Sequence, residues 1–312
     1  MRKGFTLIEM IFVIVISSAL SIGTFKAIQA LYVRSAKAQA VTELSLRSQI
    51  VLDQLSLLLY NRIPNSVIGY DIVNNSCEPI TALGSDSYTI LEWLGTMDDE
   101  LLRGDYDGFV DMGASDSATS SLVTKDINTS LNSLNPNLVF AGSFDSGAEE
   151  SNAACSGAFG WHGKDSDLSY SINVIDVNET NLTDSVQPAY IYEKYYLTKT
   201  AYAIARGYDL QESDLIDNCA NYSPPTSNNF DFDNTLFLFY NYQPFNDGTN
   251  DDETFCGDSR GTRVGDVSIL SEDISAFEAT FINETIRLNL DSNRSIRGST
   301  NDVHISKQKA VF

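Results

Sequence analysis

Eighteen residues near the start of the chain, Phe5 to Ile22, form an apolar run broken by a single charge, the carboxylate of Glu9. At ~1.5 Å per helical residue, such a run is just long enough to cross a bilayer core. Arg2 and Lys3 stand on its N-terminal flank, and basic flanks stay in the cytoplasm, so the remaining chain is expected on the far side. An ordinary secretory signal carries its small-residue cleavage site after the apolar run. Here the candidate, Gly4, comes before it, and cutting there keeps the apolar helix in the mature protein. Glu9 is costly at such a depth, by roughly 2.5–3.5 kcal/mol, and by default calls for a partner. If the chain is cut after Gly4, the new amine lies on Phe5, four residues before Glu9. The natural partner is that α-ammonium, its own or a neighbour's. Pairing with a neighbour locks two helices in a fixed axial stagger, which a helical filament needs.

Lys3-Gly4-Phe5-Thr6-Leu7-Ile8-Glu9 followed by an apolar run resembles the N-terminal signature of type IV prepilins and type II secretion pseudopilins, over about the first thirty residues. The resemblance implies cleavage between Gly4 and Phe5 by a membrane prepilin peptidase, N-methylation of Phe5, and neutralisation of a neighbour's N-terminus by Glu9 during assembly. It also implies other pilins or pseudopilins, an inner-membrane assembly platform and membrane lipid as partners. Many major pilins carry a helix-kinking proline partway along this segment. Here there is none, and Gly23 is the candidate flexible point.

The chain has 312 residues, enough for one large or two ordinary domains beyond the helix. That is longer than a typical major pilin and favours a minor component. Its net charge of −22 is unevenly placed: beyond Pro64 there are 13 Lys and Arg against 39 Asp and Glu, a net of −26. An acidic head is repelled by phosphates, so a nucleic-acid partner is not expected. Cys77, Cys155, Cys219 and Cys256 all lie in the exported portion, where disulfides persist. Four cysteines allow three connectivities; the sequential pairs Cys77–Cys155 and Cys219–Cys256 are the expectation.

From Gly23 to Arg62 the helix is expected to continue, with Leu44, Val51, Leu55, Leu58 and Leu59 at helical spacing and Pro64 as its stop. The division that follows is a leader (1–4), an N-terminal helix (5–62, with 5–22 transmembrane), a variable loop-rich β region (63–187) and a C-terminal antiparallel β region (188–312). Strand candidates are Ser66–Val73, Tyr88–Trp93, Leu138–Ala141, Leu168–Val177, Ala189–Arg206 (one long strand or a hairpin) and Thr235–Tyr242. A short-turn hairpin joins Ile274–Ile282 to Thr285–Leu290 through Asn283-Glu284, and His304–Ile305 with Ala310–Phe312 add an edge strand. Ala114–Asn135 is polar and nearly featureless. Antiparallel strands stacked on a helix make an α+β fold: a long transmembrane and stalk helix packed on an antiparallel sheet head, single-pass in the inner membrane with the head in the periplasm.

Two acidic clusters have the oxygen-ligand character of calcium loops. Asp105, Asp107 and Asp111 surround Gly108, but Gly108 comes too early for an EF-hand and Asp116 is a short acid at the twelfth position. The second, Asp247, Asn250, Asp251 and Asp252, is the better candidate; no other cofactor is expected. His162 and His304 are far apart and lack a metal-ligand partner at short spacing. No nucleophile elbow, phosphate loop or dinucleotide fingerprint occurs, so no catalysis is expected. Trp161-His162, in a Gly-rich loop beside Cys155, reads as exposed or structural. The function expected is a minor subunit of a type IV pilus or secretion pseudopilus, at or near its tip, with a tip adhesin as the alternative.

Overall fold

A computed structural model describes residues 6–72, 76–79, 88–142, 159–162, 168–183, 188–226, 230–245, 253–259, 261–282, 285–296 and 302–312. The first element is α1 (Leu7–Tyr60), 54 residues without a break. Thr6 caps it, and Thr6 and Glu9 form a reciprocal capping box. Gly23 sits inside the helix and does not interrupt it. Asn61 caps the far end, before the Pro64 stop.

The strands follow in chain order: β1 (Ile68–Asp71), β2 (Ser76–Pro79), β3 (Ile90–Gly95), then a short helix α2 (Asp98–Arg103), β4 (Ser121–Val123), β5 (Asn137–Phe140), β6 (Tyr170–Asp176), β7 (Glu179–Leu182), β8 (Tyr195–Thr198) and β9 (Thr200–Arg206). After helix α3 (Glu212–Asn218) come β10 (Leu236–Tyr242), β11 (Glu253–Phe255), β12 (Thr262–Val264), β13 (Asp266–Ser271), β14 (Ile274–Ile282), β15 (Thr285–Arg294) and β16 (Val303–Val311). The central sheet has the order β13-β10-β9-β3-β1-β2, antiparallel throughout. A second sheet, β14-β15-β16, lies along α1, and a third, β4-β7-β6-β5-β8, forms a separate lobe. The arrangement is the expected α+β one.

Period-2 alternation explains how the central sheet serves two cores. On β9, Ala201, Ala203 and Ala205 face one side, under Phe237 and Phe239 of β10. Ile204 and Leu236 face the other, where they meet Val51, Leu52, Leu55 and Leu59 of α1 and Phe277, Ile286, Leu288 and Leu290 of the second sheet. β3 is buried at all six positions because it is covered on both faces. The lobe has its own core, including Leu122, Leu138, Phe140, Tyr170 and Leu197.

The aromatic stretch expected as one strand or hairpin over Ala189–Arg206 is two strands that do not pair with each other. β8 pairs with β5 in the lobe, and β9 with β3 and β10 in the central sheet. Lys199 marks the crossing, its Nζ 2.6 Å from the buried Glu100 of α2. Ala114–Asn135, read as featureless, holds β4 and two 3-10 turns. The hairpin of β14 and β15 is as read, with Ile282 opposite Thr285. The C-terminal edge is one nine-residue strand, not two fragments.

β16 runs up α1 as a rail. Val303 packs on Ala40 and Leu44, Ser292 of β15 hydrogen-bonds Ser48 at 2.8 Å, and Lys307 and Lys309 reach Gln49 and Asp53. Arg294 bridges Glu43 and Asp273 at 2.7 and 2.6 Å. Burial of the leucine stripe holds this rail, since the exposed ion pairs each contribute about 1 kcal/mol or less. Leu55→Ala is expected to cost about 2–5 kcal/mol and Leu57→Ala, 64% exposed, within about 0.5 kcal/mol of nothing. Denaturant unfolding of the detergent-solubilised chain checks both.

Candidate functional sites

The assembly site expected at the N-terminus is described in part, since Gly4 and Phe5 lie outside the described residues. Glu9 Oε2 accepts hydrogen bonds from the Thr6 backbone N–H and hydroxyl, both at 2.9 Å. Thr6 thus holds the carboxylate at the first turn of the helix. From Ala40 upward one face of the helix is packed on the head and the opposite face is bare, and below Ala40 no helix residue is buried. At ~100° per residue, Phe25, Ile28, Tyr32, Leu46, Ile50, Leu57 and Tyr60 fall on one stripe about 100° wide, opposite Leu44, Leu55 and Leu59. All seven are exposed. The helix is long and apolar enough over its first part to cross a membrane.

The cysteines are placed as follows. Cys219, at the end of α3, is bonded to Cys256 after β11, with Cα atoms 5.0 Å apart. Cys77 is also half of a disulfide; Cys155 lies outside the described residues. The calcium candidates Asp247, Asn250, Asp251 and Asp252 lie outside them too. In the first acidic cluster the carboxylates cap local backbone: Asp107 accepts from the N–H of Phe109, Asp111 from Gly113 and Ala114, and Asp116 from Ala118. Asp105 accepts from the Asn128 amide. Those bonds satisfy turns, and among the described residues no group of three His, Cys, Asp or Glu side chains is arranged to hold a metal ion.

A different cluster is drawn together in the core. His162 is not exposed: its side chain is 7% accessible, and it lies between Glu92 of β3 (1%) and Asp258 (0%). Its Nε2 is 2.7 Å from Glu92 Oε1 and its Nδ1 3.3 Å from Asp258 Oδ2. Tyr242 donates to the other Glu92 oxygen at 2.8 Å, Tyr70 donates to Asp258, and the Tyr70 ring stacks on the imidazole at 3.9 Å. Burial alone would push the histidine pKa down. The facing Glu92 and Asp258 carboxylates more than reverse this and hold it at about 9. With both ring nitrogens facing carboxylates, the imidazolium donates twice.

The backbone is shaped to deliver that ring. His162 has φ +49° and Gly160 φ +75°, and a Cβ at Gly160 would come 2.5 Å from the Pro244 carbonyl oxygen. Glycine is therefore required there. Phe159 and Trp161 are buried beside it, so four residues plug into one face of the central sheet. The cluster is enclosed, and its chemistry is that of an electrostatic rivet, not of an exchange site. Residue spacing could not reveal it, since His162 and Glu92 are 70 residues apart. The available signal was a carboxylate inside the otherwise apolar strand Ile90-Leu91-Glu92-Trp93-Leu94.

His162→Leu leaves two buried carboxylates facing each other, and a cost of about 3–5 kcal/mol is expected. Because the folded-state pKa is raised, the rivet's stability is fully present below about pH 6.5 and lost as pH rises through about 9. Melting curves from pH 6 to 10 are expected to show the gap between wild type and variant closing in that window.

No curated protein and no solved structure matches the chain. Residues 1–25 match the family model described as the prokaryotic N-terminal methylation motif. With that motif opening a membrane-length helix and antiparallel sheets packed on its upper half, the chain is a type IV prepilin- or pseudopilin-like protein.

Proposed function

We propose that this chain is a minor pilin or pseudopilin, cleaved between Gly4 and Phe5, methylated on Phe5, anchored in the inner membrane with its head in the periplasm, and assembled at or near the tip of a type IV pilus or secretion pseudopilus. Its role is structural, not catalytic. The observation that carries the reading is the bare stripe of α1 from Phe25 to Tyr60. In the lower half lipid can cover it; above the membrane an exposed row of Leu46, Ile50, Leu57 and Tyr60 calls for a protein partner, and other helices of the same kind satisfy it by heptad-like packing. Glu9 sets the stagger of that packing. Glu9→Val is expected to leave cleavage and membrane insertion intact and to cut incorporation into sheared filaments at least tenfold, by immunoblot of filament and membrane fractions. Ile50→Asp is expected to do the same without affecting the head. Normal incorporation of both variants would exclude the reading.

One observation favours a second role, display of a binding surface. The lobe is an insertion between β3 and β9, whose ends pair directly at Gly95 and Thr200. On it a groove of about 390 Å³ is lined by Asp107, Phe109, Val110, Val123, Lys125 and Asn178. Phe109→Ala with Lys125→Ala is expected to abolish adhesion and spare filaments if the lobe is an adhesin; unchanged adhesion leaves the priming role alone. Calcium binding by Asp247, Asn250, Asp251 and Asp252 belongs to the same proposal. A rise in melting temperature at millimolar calcium supports it, and no shift removes it.

A further inference from the structure

Lys26, Arg34 and Lys37 stand on α1 below the head, in a stretch with no acid between Glu9 and Glu43. None therefore has a carboxylate three or four residues away, and none makes an ion pair or side-chain hydrogen bond among the described residues. Higher on the helix the pattern reverses: Arg47, Arg294 and Lys309 are all paired with Glu43 or Asp53.

The three share a face. Lys26 lies five turns below Leu44, Arg34 five turns below Leu52 and Lys37 two turns below Leu44, so they continue the side that the head covers. They do not interrupt the bare apolar stripe. Ala40 is the lowest helix residue that is buried, and the cations stand about 4.5, 9 and 21 Å beneath it (Lys37, Arg34, Lys26). From Leu7 to Lys26 is about 29 Å, which puts Lys26 at the outer edge of the hydrocarbon. Arg34 is about 12 Å further out, but long helical side chains lean toward the N-terminus, here back toward the membrane. Lys37 acts through its field. The portion beyond Pro64 carries a net −26 and is repelled by an anionic surface.

We propose that Lys26, Arg34 and Lys37 form a collar that holds anionic phospholipids in the leaflet nearest the head, Lys26 and Arg34 by binding their phosphate headgroups and Lys37 by its field, fixing how high the acidic head stands above the membrane. The inference rests on the reading of α1 as a membrane anchor. The placement of Lys26 at the hydrocarbon edge, with Arg34 leaning back toward the headgroup layer, points to lipid in preference to the acidic head of a neighbouring subunit.

The test uses the full-length chain in nanodiscs of phosphatidylcholine with and without phosphatidylglycerol, with retained lipid counted by native mass spectrometry. At low salt each cation near the surface is worth about fivefold, so the wild type is expected to prefer phosphatidylglycerol roughly a hundredfold over the triple variant Lys26→Gln, Arg34→Gln, Lys37→Gln. Arg47→Gln is expected to keep the preference, and so is Lys26→Arg with Lys37→Arg, which preserves the charge. An unchanged preference in the triple variant overturns the collar. So does loss of self-association at unchanged lipid retention, which would assign these cations to a neighbour's acidic head. A chain that does not travel with the nanodisc overturns the anchor reading and the collar together.

Discussion

One helix has to satisfy two environments, and the rest of the structure follows from that constraint. Over its first part α1 is apolar on all sides, as a helix in lipid must be. From Ala40 upward only one stripe, Leu44, Val51, Leu52, Leu55 and Leu59, is buried, and it is buried by strands from the far end of the chain. The C-terminal hairpin and β16 lie along the helix because they supply the apolar cover that the stripe lacks. The central sheet packs on the same core, so its other face is free to build a second core, sealed by the Cys219–Cys256 disulfide and the His162 plug. Removing the stripe would leave the head without the surface on which its sheets converge.

How much of this was legible in the sequence depended on whether a signal was local. The Gly-Phe-x-x-x-Glu opening, the helix with its Pro64 stop and the hairpin of β14 and β15 are read within a few residues of themselves, and the structure describes the helix from Leu7 and the pairing of the two hairpin strands. β16 was legible only at its ends, because Lys307 and Lys309 look like solvent-facing residues. They are instead the outer rim of a strand whose partners, Gln49 and Asp53, lie more than 250 residues earlier. The stretch around Tyr195 and Tyr202 read as one long strand or a hairpin because aromatic alternation continues through Lys199; that the chain changes sheets there is decided by pairing with β5 and β3, which no local pattern encodes.

The His162 cluster makes the same point for chemistry. A histidine in a glycine-rich stretch gives no reason to expect burial, and the two carboxylates that charge it, Glu92 on β3 and Asp258 in the turn after β11, lie far from it and from each other in the sequence. Desolvation disfavours the imidazolium, and it persists because both its N–H groups face carboxylates and those carboxylates take tyrosine hydrogen bonds in turn. A satisfied network of this kind holds one arrangement of the core against alternatives. It fixes the plug, and with it the point at which the chain between β5 and β6 returns to the central sheet.

The central claim is that the apolar helix with its spaced glutamate is a processed assembly element and not a plain signal anchor. Intact mass together with N-terminal sequencing of the protein from its native membrane tests this most directly. The account predicts a mature chain that begins at Phe5 carrying one added methyl group. A chain that still begins at Met1 would contradict it and leave Glu9 without the partner on which the assembly mechanism depends.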